Sequence, residues 1–179
     1  IELVCEGGAV PVDGQMIPAV RDALIHLVRN ACDHGVEDPA ARTAAGKPLC
    51  GVIRISCVDE GGSVRIEVAD DGGGVNVERI RRIAAERGLV GAHEADRLSD
   101  AEALELIFRH GFSTAATGGR VSGRGVGLDA ARDALARIGG RIDVSSLAGV
   151  GAAFSVRLPK SGAGDDAARA LEPASGRAA

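Results

Sequence analysis

Three stretches of this 179-residue chain combine residue types and spacings that suit the binding of a charged ligand. In the first, His26, Asn30, Asp33 and Glu37 fall at i, i+4, i+7 and i+11, which aligns them on one side of a helix with His34 at its edge. A solvated face is the simplest use of such a row. Lys and Glu would serve that purpose better, however, because His and Asn propagate a helix less well. An amide oxygen is also a hard ligand of the kind Mg²⁺ takes, one or two from protein and the rest from phosphate and water.

The second stretch is Asp70-Asp71-Gly72-Gly73-Gly74, at the end of an alternating apolar run. An ionised Asp accepts hydrogen bonds and donates none, so Asp70 suits an exocyclic amine such as that of adenine. The glycines free the backbone for conformations barred to other residues. An ordinary turn between strand and helix is the alternative. The third stretch, Ser122-Gly123-Arg124-Gly125-Val126-Gly127, runs directly into a helix beginning with Leu128. Backbone N–H groups converging there, with the positive end of the helix, would hold an anion. No Gly-Lys-Ser/Thr follows and no parallel βαβ unit surrounds it, which excludes a P-loop and a dinucleotide fingerprint.

The elements that must position these stretches follow from apolar periodicity. Gln15 to Gly35 carries Ile17, Val20, Leu24, Leu27, Val28 and Ala31 at helical spacing, opposite the His26–Asn30 row. Val52–Val58 and Val64–Ala69 alternate, with Ile53, Ile55 and Cys57 on one face and Val64, Ile66 and Val68 on the matching one, joined by Glu60-Gly61-Gly62-Ser63 as a hairpin. Asn76–Arg87 reads as a helix, and Ser99-Asp100-Ala101-Glu102 is a capping box for another reaching Phe108. From Arg109 to Gly125 the chain is Gly-, Ser- and Thr-rich without apolar period, as expected of a mobile loop. Helix signals resume over Val126–Ile138 and stop at Gly139-Gly140. Ile142 and Val144, then Phe154, Val156 and Leu158, supply two closing strands. Ile1-Glu2-Leu3-Val4 reads as a first strand entered without a start signal, as in a piece of a longer protein.

Strands paired by hairpins with helices between them imply an α+β fold: a two-layer sandwich of a mixed, largely antiparallel sheet with helices on one face. Residues 1–159 fit one domain, and the Ala/Gly/Ser/Asp-rich 160–179 is expected to be a disordered tail.

Composition narrows the function classes. The formal net charge of −4 offers no global field for nucleic acid or membrane, so phosphate binding must rest on local groups. Tyr and Trp are absent and Phe108, Phe112 and Phe154 are the only aromatics, which removes the stacking platforms of a single-strand nucleic-acid binder. Cys5, Cys32, Cys50 and Cys57 form no C-x-x-C pair and no zinc spacing, so reduced thiols in a cytoplasmic setting are expected. No apolar run approaches the roughly 20 residues of a bilayer span.

Taken together and in order, a helix Asn, a strand-end Asp-x-Gly-x-Gly, a loop and a Gly-x-Gly-x-Gly at a helix start form a specific pattern. It resembles the Bergerat-type ATP-binding domain shared by histidine kinases, type II topoisomerases, Hsp90 chaperones and mismatch-repair ATPases. Within that group it is most similar to the catalytic domain of chemotaxis histidine kinases, from about Ile1 to Pro159. The similarity is carried by His26 through Glu37, Asp70 to Gly74, Phe108 through Thr114, and Ser122 through Asp129.

The resemblance implies ATP and Mg²⁺ as ligands. Asn30 would bind the metal, Asp70 would accept from the adenine amino group, and Gly72 and Gly74 would let the base approach the backbone. Gly123, Gly125 and Gly127, with Val126 and Leu128, would form the phosphate lid. His26 and His34 fall where these kinases place histidines near the triphosphate, with Arg29, Asp33, Arg79 and Arg124 as further contacts. Ser113 would belong to the loop closing over the nucleotide. In the hydrolases of the group a water-activating Glu stands four residues before the metal-binding Asn, where this chain has His26, which favours transfer over hydrolysis. Three positions depart from the pattern: Ala115 stands where a Lys often follows, Ala152 where a Thr is usual, and Gly73 where a charged or polar residue is common.

The resemblance further implies γ-phosphate transfer in trans to a histidine on a separate acceptor domain, contact with a coupling protein and receptor through domains other than this one, and a monomeric isolated domain. Two other readings stay open: a catalytically silent nucleotide-binding or docking module, and a hydrolase or anti-sigma-factor-like serine kinase of the same fold.

Overall fold

The structure, a computed structural model, describes residues 1–112 and 127–160. Five strands form one sheet: β1 (Glu2–Glu6), β2 (Val52–Asp59), β3 (Ser63–Asp70), β4 (Arg141–Leu147) and β5 (Gly151–Pro159), in the order β1-β2-β3-β5-β4. β1 runs parallel to β2, and the other three pairs are antiparallel. This is the mixed, largely antiparallel sheet expected, with its one parallel pair at an edge.

The strand registers set successive rows across the buried face. Ile55, Val68, Phe154 and Val144 stand side by side, and the next row toward one end of the sheet holds Ile53, Asp70, Ala152 and Ser146. Because side chains alternate along a strand, Asp70 shares the core-facing side with Val68 and Ile66. A carboxylate thus ends an apolar stripe. The core over these rows comprises Val20, Ala23 and Leu27 of α1 (Ile17–Asn30), Ile80 and Ala84 of α3 (Val77–Glu86), and Ala131 and Leu135 of α6 (Leu128–Arg137), all buried.

The expected first helix is borne out with two changes. Ile17 is exposed and Ala23 is buried in the apolar stripe, and the helix does not stay α to its end. Ala31–Gly35 form a π-helical turn closed by the Val36 N–H to the Ala31 carbonyl at 2.9 Å. The wider turn shifts the register after Asn30. Asp33 is exposed, while His34 and Gly35 face the same cavity as Asn30.

Two short helices have no counterpart in the sequence reading. In α2 (Pro39–Ala44), Asp38 caps by accepting from the Ala41 N–H at 2.9 Å and Pro39 opens the first turn; α4 (Ala92–Ala95) follows Gly91. The Asp-Pro start of α2 is a legible signal. Its six residues are too few for an apolar period. The Ser99–Glu102 capping box forms in both directions ahead of α5 (Asp100–Glu105), which tightens to a 3₁₀ turn over Leu106–Phe108. The loop expected between Arg109 and Gly125 lies, from Ser113 on, outside the described residues, as does the expected tail beyond Lys160.

Candidate nucleotide-binding site

A cavity of about 340 Å³ opens between the C-terminal part of α1, the end of β3, α3 and the start of α6. Its lining includes His26, Asn30 and His34, then Asp70, Gly74 and Arg79, then Gly127 and Leu128. These residues come from the separate sequence stretches, and the fold brings them together. Arg29 and Asp33 are exposed and Gly72 is buried; none of them lines the cavity. Ser113, Gly123, Arg124, Gly125 and Val126 lie outside the described residues.

Asp70 is placed by the end of β3 and by close backbone packing. Its Oδ1 accepts from the Gly72 N–H at 2.9 Å. Burial pushes its proton affinity above the ordinary carboxylate range; the Gly72 and Ala152 N–H groups oppose this, and the charges of Asp71 and Glu37 add to it. The surrounding glycines are steric necessities. A β-carbon on Gly35 would stand 2.9 Å from Asp70 Oδ2, and one on Gly74, whose φ is +73°, would stand 2.5 Å from the Leu147 carbonyl oxygen. The loop is then stitched to the β4–β5 hairpin: Ser146 Oγ accepts from the Val75 N–H at 2.7 Å and donates to the Gly151 carbonyl at 3.1 Å.

Gly127 is the N-cap of α6 and Leu128 its first residue, and both line the cavity, so the positive end of that helix meets it. His26 is half-buried beside them. Desolvation lowers its pKa from the ordinary 6.5, Arg29 lowers it further, and Asp129 partly offsets both. Asn30 and Asn76 supply the side-chain amides of the lining, the Asn76 oxygen being engaged by the Arg79 N–H, and among the described residues no group of three or more His, Cys, Asp or Glu is arranged to hold a metal by itself. A hexacoordinate cation here would need ligand oxygens and water besides Asn30, which is how Mg²⁺ is held with a polyphosphate.

Sequence reasoning missed the apolar walls. Ile80, Ile107, Phe112, Phe154 and Val75 line the cavity, with Ala31, Gly35, Asn76 and Ala152. Phe154 meets Phe108 edge-on, with centroids 6.4 Å apart and planes at 86°. All three phenylalanines of the chain therefore stand at or next to the cavity, a clustering the composition hinted at without locating. Asn76 serves as the N-cap of α3, accepting from the Arg79 N–H at 2.8 Å. It thereby aligns that helix along the cavity rim.

A mixed sheet backed by helices, with one cavity between a strand-end Asp, a helix Asn and a helix N-terminus, defines a class of nucleotide-binding domain. The chain belongs to the histidine kinase-, DNA gyrase B- and HSP90-like ATPase family, whose sequence profile matches residues 18–162. Among curated proteins it is 47% identical to the gliding motility regulatory protein of Myxococcus xanthus over 161 residues, 90% of this chain and 21% of that one. It is 43% identical to the chemotaxis protein CheA of Bacillus subtilis over 159 residues, 89% of this chain and 24% of that one. The chain thus spans about a fifth to a quarter of the length of these relatives. The histidine kinase domain of the blue-light activated histidine kinase EL346 of Erythrobacter litoralis shares the fold, with a TM-score of 0.53 at 16% identity over 89% of this chain and 55% of that one. No helix among the described residues is long and apolar enough to cross a membrane.

Proposed function

We propose that this domain binds Mg-ATP in the cavity and transfers the γ-phosphate to a histidine of a separate acceptor domain, as the catalytic part of a chemotaxis-type histidine kinase. The observation that carries the reading is the common cavity of Asp70, Asn30 and Gly127. Asp70 accepts from the exocyclic amine of the base, with Phe154, Ile80 and Ile107 as apolar walls. The triphosphate extends toward α6, where the Gly127 and Leu128 backbone and the helix dipole favour negative charge. Asn30 would hold Mg²⁺, which when bound would supply positive charge against the phosphate oxygens.

Phosphoryl transfer depends mainly on positioning and charge neutralisation, so the residues required are those that hold the chain of phosphates in line with an incoming imidazole. His26 stands near that end of the cavity as a neutral imidazole at neutral pH. No carboxylate occupies its position to activate water, which supports transfer over hydrolysis. His34 and Arg79 line the rim, and Arg29 and Asp33, exposed on α1 and in its π turn, would reach the nucleotide only by side-chain rearrangement. Partners in this reading are the acceptor domain, in trans, and a coupling protein and receptor engaged through other domains, in the cytoplasm.

The test mixes the protein with Mg-[γ-³²P]ATP and a histidine-bearing acceptor domain from a chemotaxis kinase. Acid-labile label on the acceptor, lost in Asn30→Ala and Asp70→Ala, is the expected result. Tight ATP binding without any transfer would reject the kinase reading in favour of a silent nucleotide-binding module; Ala152 favours that second reading, since among the described residues no hydroxyl lines the cavity.

A further inference from the structure

Behind Asp70, a set of charges gathers around one buried guanidinium, and the nucleotide-binding reading has given them no role. Arg42 of α2 has no exposed surface. Its Nη1 and Nη2 donate to Asp71 Oδ1 and Oδ2 at 3.1 and 2.8 Å, Nη1 also donates to Glu37 Oε2 and the Asp71 carbonyl at 3.2 Å each, and Nε donates to the Pro48 carbonyl at 2.7 Å. Lys47 Nζ donates to the Gly72 and Asp71 carbonyls at 2.7 and 3.0 Å and to Glu37 Oε1 at 2.8 Å. Asp71 Oδ1 additionally accepts from the Val52 N–H at 2.9 Å.

Burying a guanidinium is costly, and an ion pair of this kind is weak grounds for net stability. A bidentate fork does, however, fix direction as well as distance. Here the fork and the ammonium seize one side chain and two carbonyls of the dipeptide that follows Asp70. Successive side chains at a strand end point to opposite sides, so clamping Asp71 from behind sets the direction of Asp70 in front. We propose that Arg42 and Lys47 are positioning residues of the base pocket: they lock Asp71 and Gly72 so that the Asp70 carboxylate and the Gly74 backbone keep the geometry that receives the base. This rests on the reading of Asp70 as the acceptor for the base.

The experiment compares Arg42→Lys, which keeps the charge and loses the fork, and Lys47→Met with the wild-type chain. Each is titrated calorimetrically with Mg-ATP, Mg-GTP and Mg-tripolyphosphate after circular dichroism has established folding. Loss of about tenfold in ATP affinity is expected, the scale of one misplaced charge-assisted hydrogen bond. Tripolyphosphate should bind as to wild type, and the gap between ATP and GTP should narrow. Folded variants that bind ATP as tightly as wild type overturn the proposal. So does an equal loss for ATP and tripolyphosphate, which marks general loosening of the cavity. Should Arg42→Lys fail to fold, Lys47→Met decides alone, since its side chain is 15% exposed and its removal leaves the guanidinium fork in place. An Asp70→Ala variant with unchanged ATP affinity would sink the underlying reading itself, a result separate from either variant's.

Discussion

Gly72 and Gly35 are packed backbone to backbone: a β-carbon on Gly72 would stand 1.9 Å from the Gly35 carbonyl oxygen, and the Gly73 N–H donates to that same carbonyl at 3.0 Å. The π turn at the end of α1 and the loop after β3 therefore meet without room for a side chain. Asn30 and Asp70, which line the common cavity, adjoin the two segments that make this contact. Gly73, in the middle of the glycine run, has nothing nearer than 3.6 Å at its own β-carbon position.

The glycines of Asp70–Gly74 should for this reason respond unequally to substitution. Gly72→Ala must push two backbones apart and should cost about 3 kcal/mol or more, the range of severe overpacking. Gly73→Ala meets only ordinary contacts and should stay within about 0.5 kcal/mol of wild type. Urea unfolding of the two variants checks this. Equal stability of the two would show that the close approach yields cheaply.

Much of this was legible beforehand, for identifiable reasons. Strands β2, β3 and β5 and helices α1 and α6 announce themselves by period, and Asn30, Asp70 and Gly127 sit at element ends where a spacing rule locates them. The π turn was not legible. The apolar period does not mark it, so an ideal helical row projected Asp33 and Glu37 beside Asn30, whereas neither lines the cavity. Glu37 instead joins Arg42 and Lys47 behind the pocket, at 3.2 and 2.8 Å. The bonds that tie this network to Asp71 and Gly72 are long-range in sequence, and no periodicity reports them. The apolar walls were missed because each of Ile80, Phe154 and Ile107 reads as plain core until the cavity beside it is seen.

Asp70 should be a residue whose charge serves binding at the expense of the empty fold. Its proton affinity is raised by burial and by the nearby Asp71 and Glu37, against the Gly72 and Ala152 N–H groups, while Arg42 and Lys47 neutralise those neighbouring carboxylates from behind. A raised folded-state pKa means that the protonated form favours folding. That contribution is present below the ordinary value of 3.8 and is lost as pH rises through the higher folded value. Asp70→Asn keeps an oxygen for the Gly72 N–H without the charge. It should match wild type near pH 3, unfold at a higher temperature than wild type at pH 7, and discriminate ATP from GTP less well. Melting curves across that range, paired with nucleotide titrations, test both halves; a lower melting temperature at pH 7 would contradict the first.

His26 works in the opposite sense. Its folded-state pKa lies below the ordinary 6.5 through desolvation first and Arg29 second, against Asp129. The unfolded chain thus takes up the proton before the folded one does, and stability present above about pH 6.5 is lost as pH falls from there through the lower folded value. His26→Gln should flatten the decline in the urea midpoint between pH 7.5 and 5.5. A decline of the same steepness in the variant would place the acid sensitivity elsewhere.

Ala152 offers a gain of function. It pairs with Asp70 across β3 and β5, is 7% exposed, and lines the cavity in the same row as the carboxylate. The resemblance that marks Thr as usual at this place implies a hydroxyl beside the base, and the side chain here borders the cavity. Ala152→Thr should therefore leave the sheet intact and strengthen ATP binding by about three- to tenfold, the scale of one added hydrogen bond. The gain should vanish in the double variant Asp70→Ala with Ala152→Thr if both groups grip the same edge of the base, because a hydroxyl alone cannot orient the ring. Isothermal titration of the single and double variants measures the coupling. Additive effects would mean that the introduced hydroxyl contacts water or phosphate instead, and would move the base away from this end of the cavity.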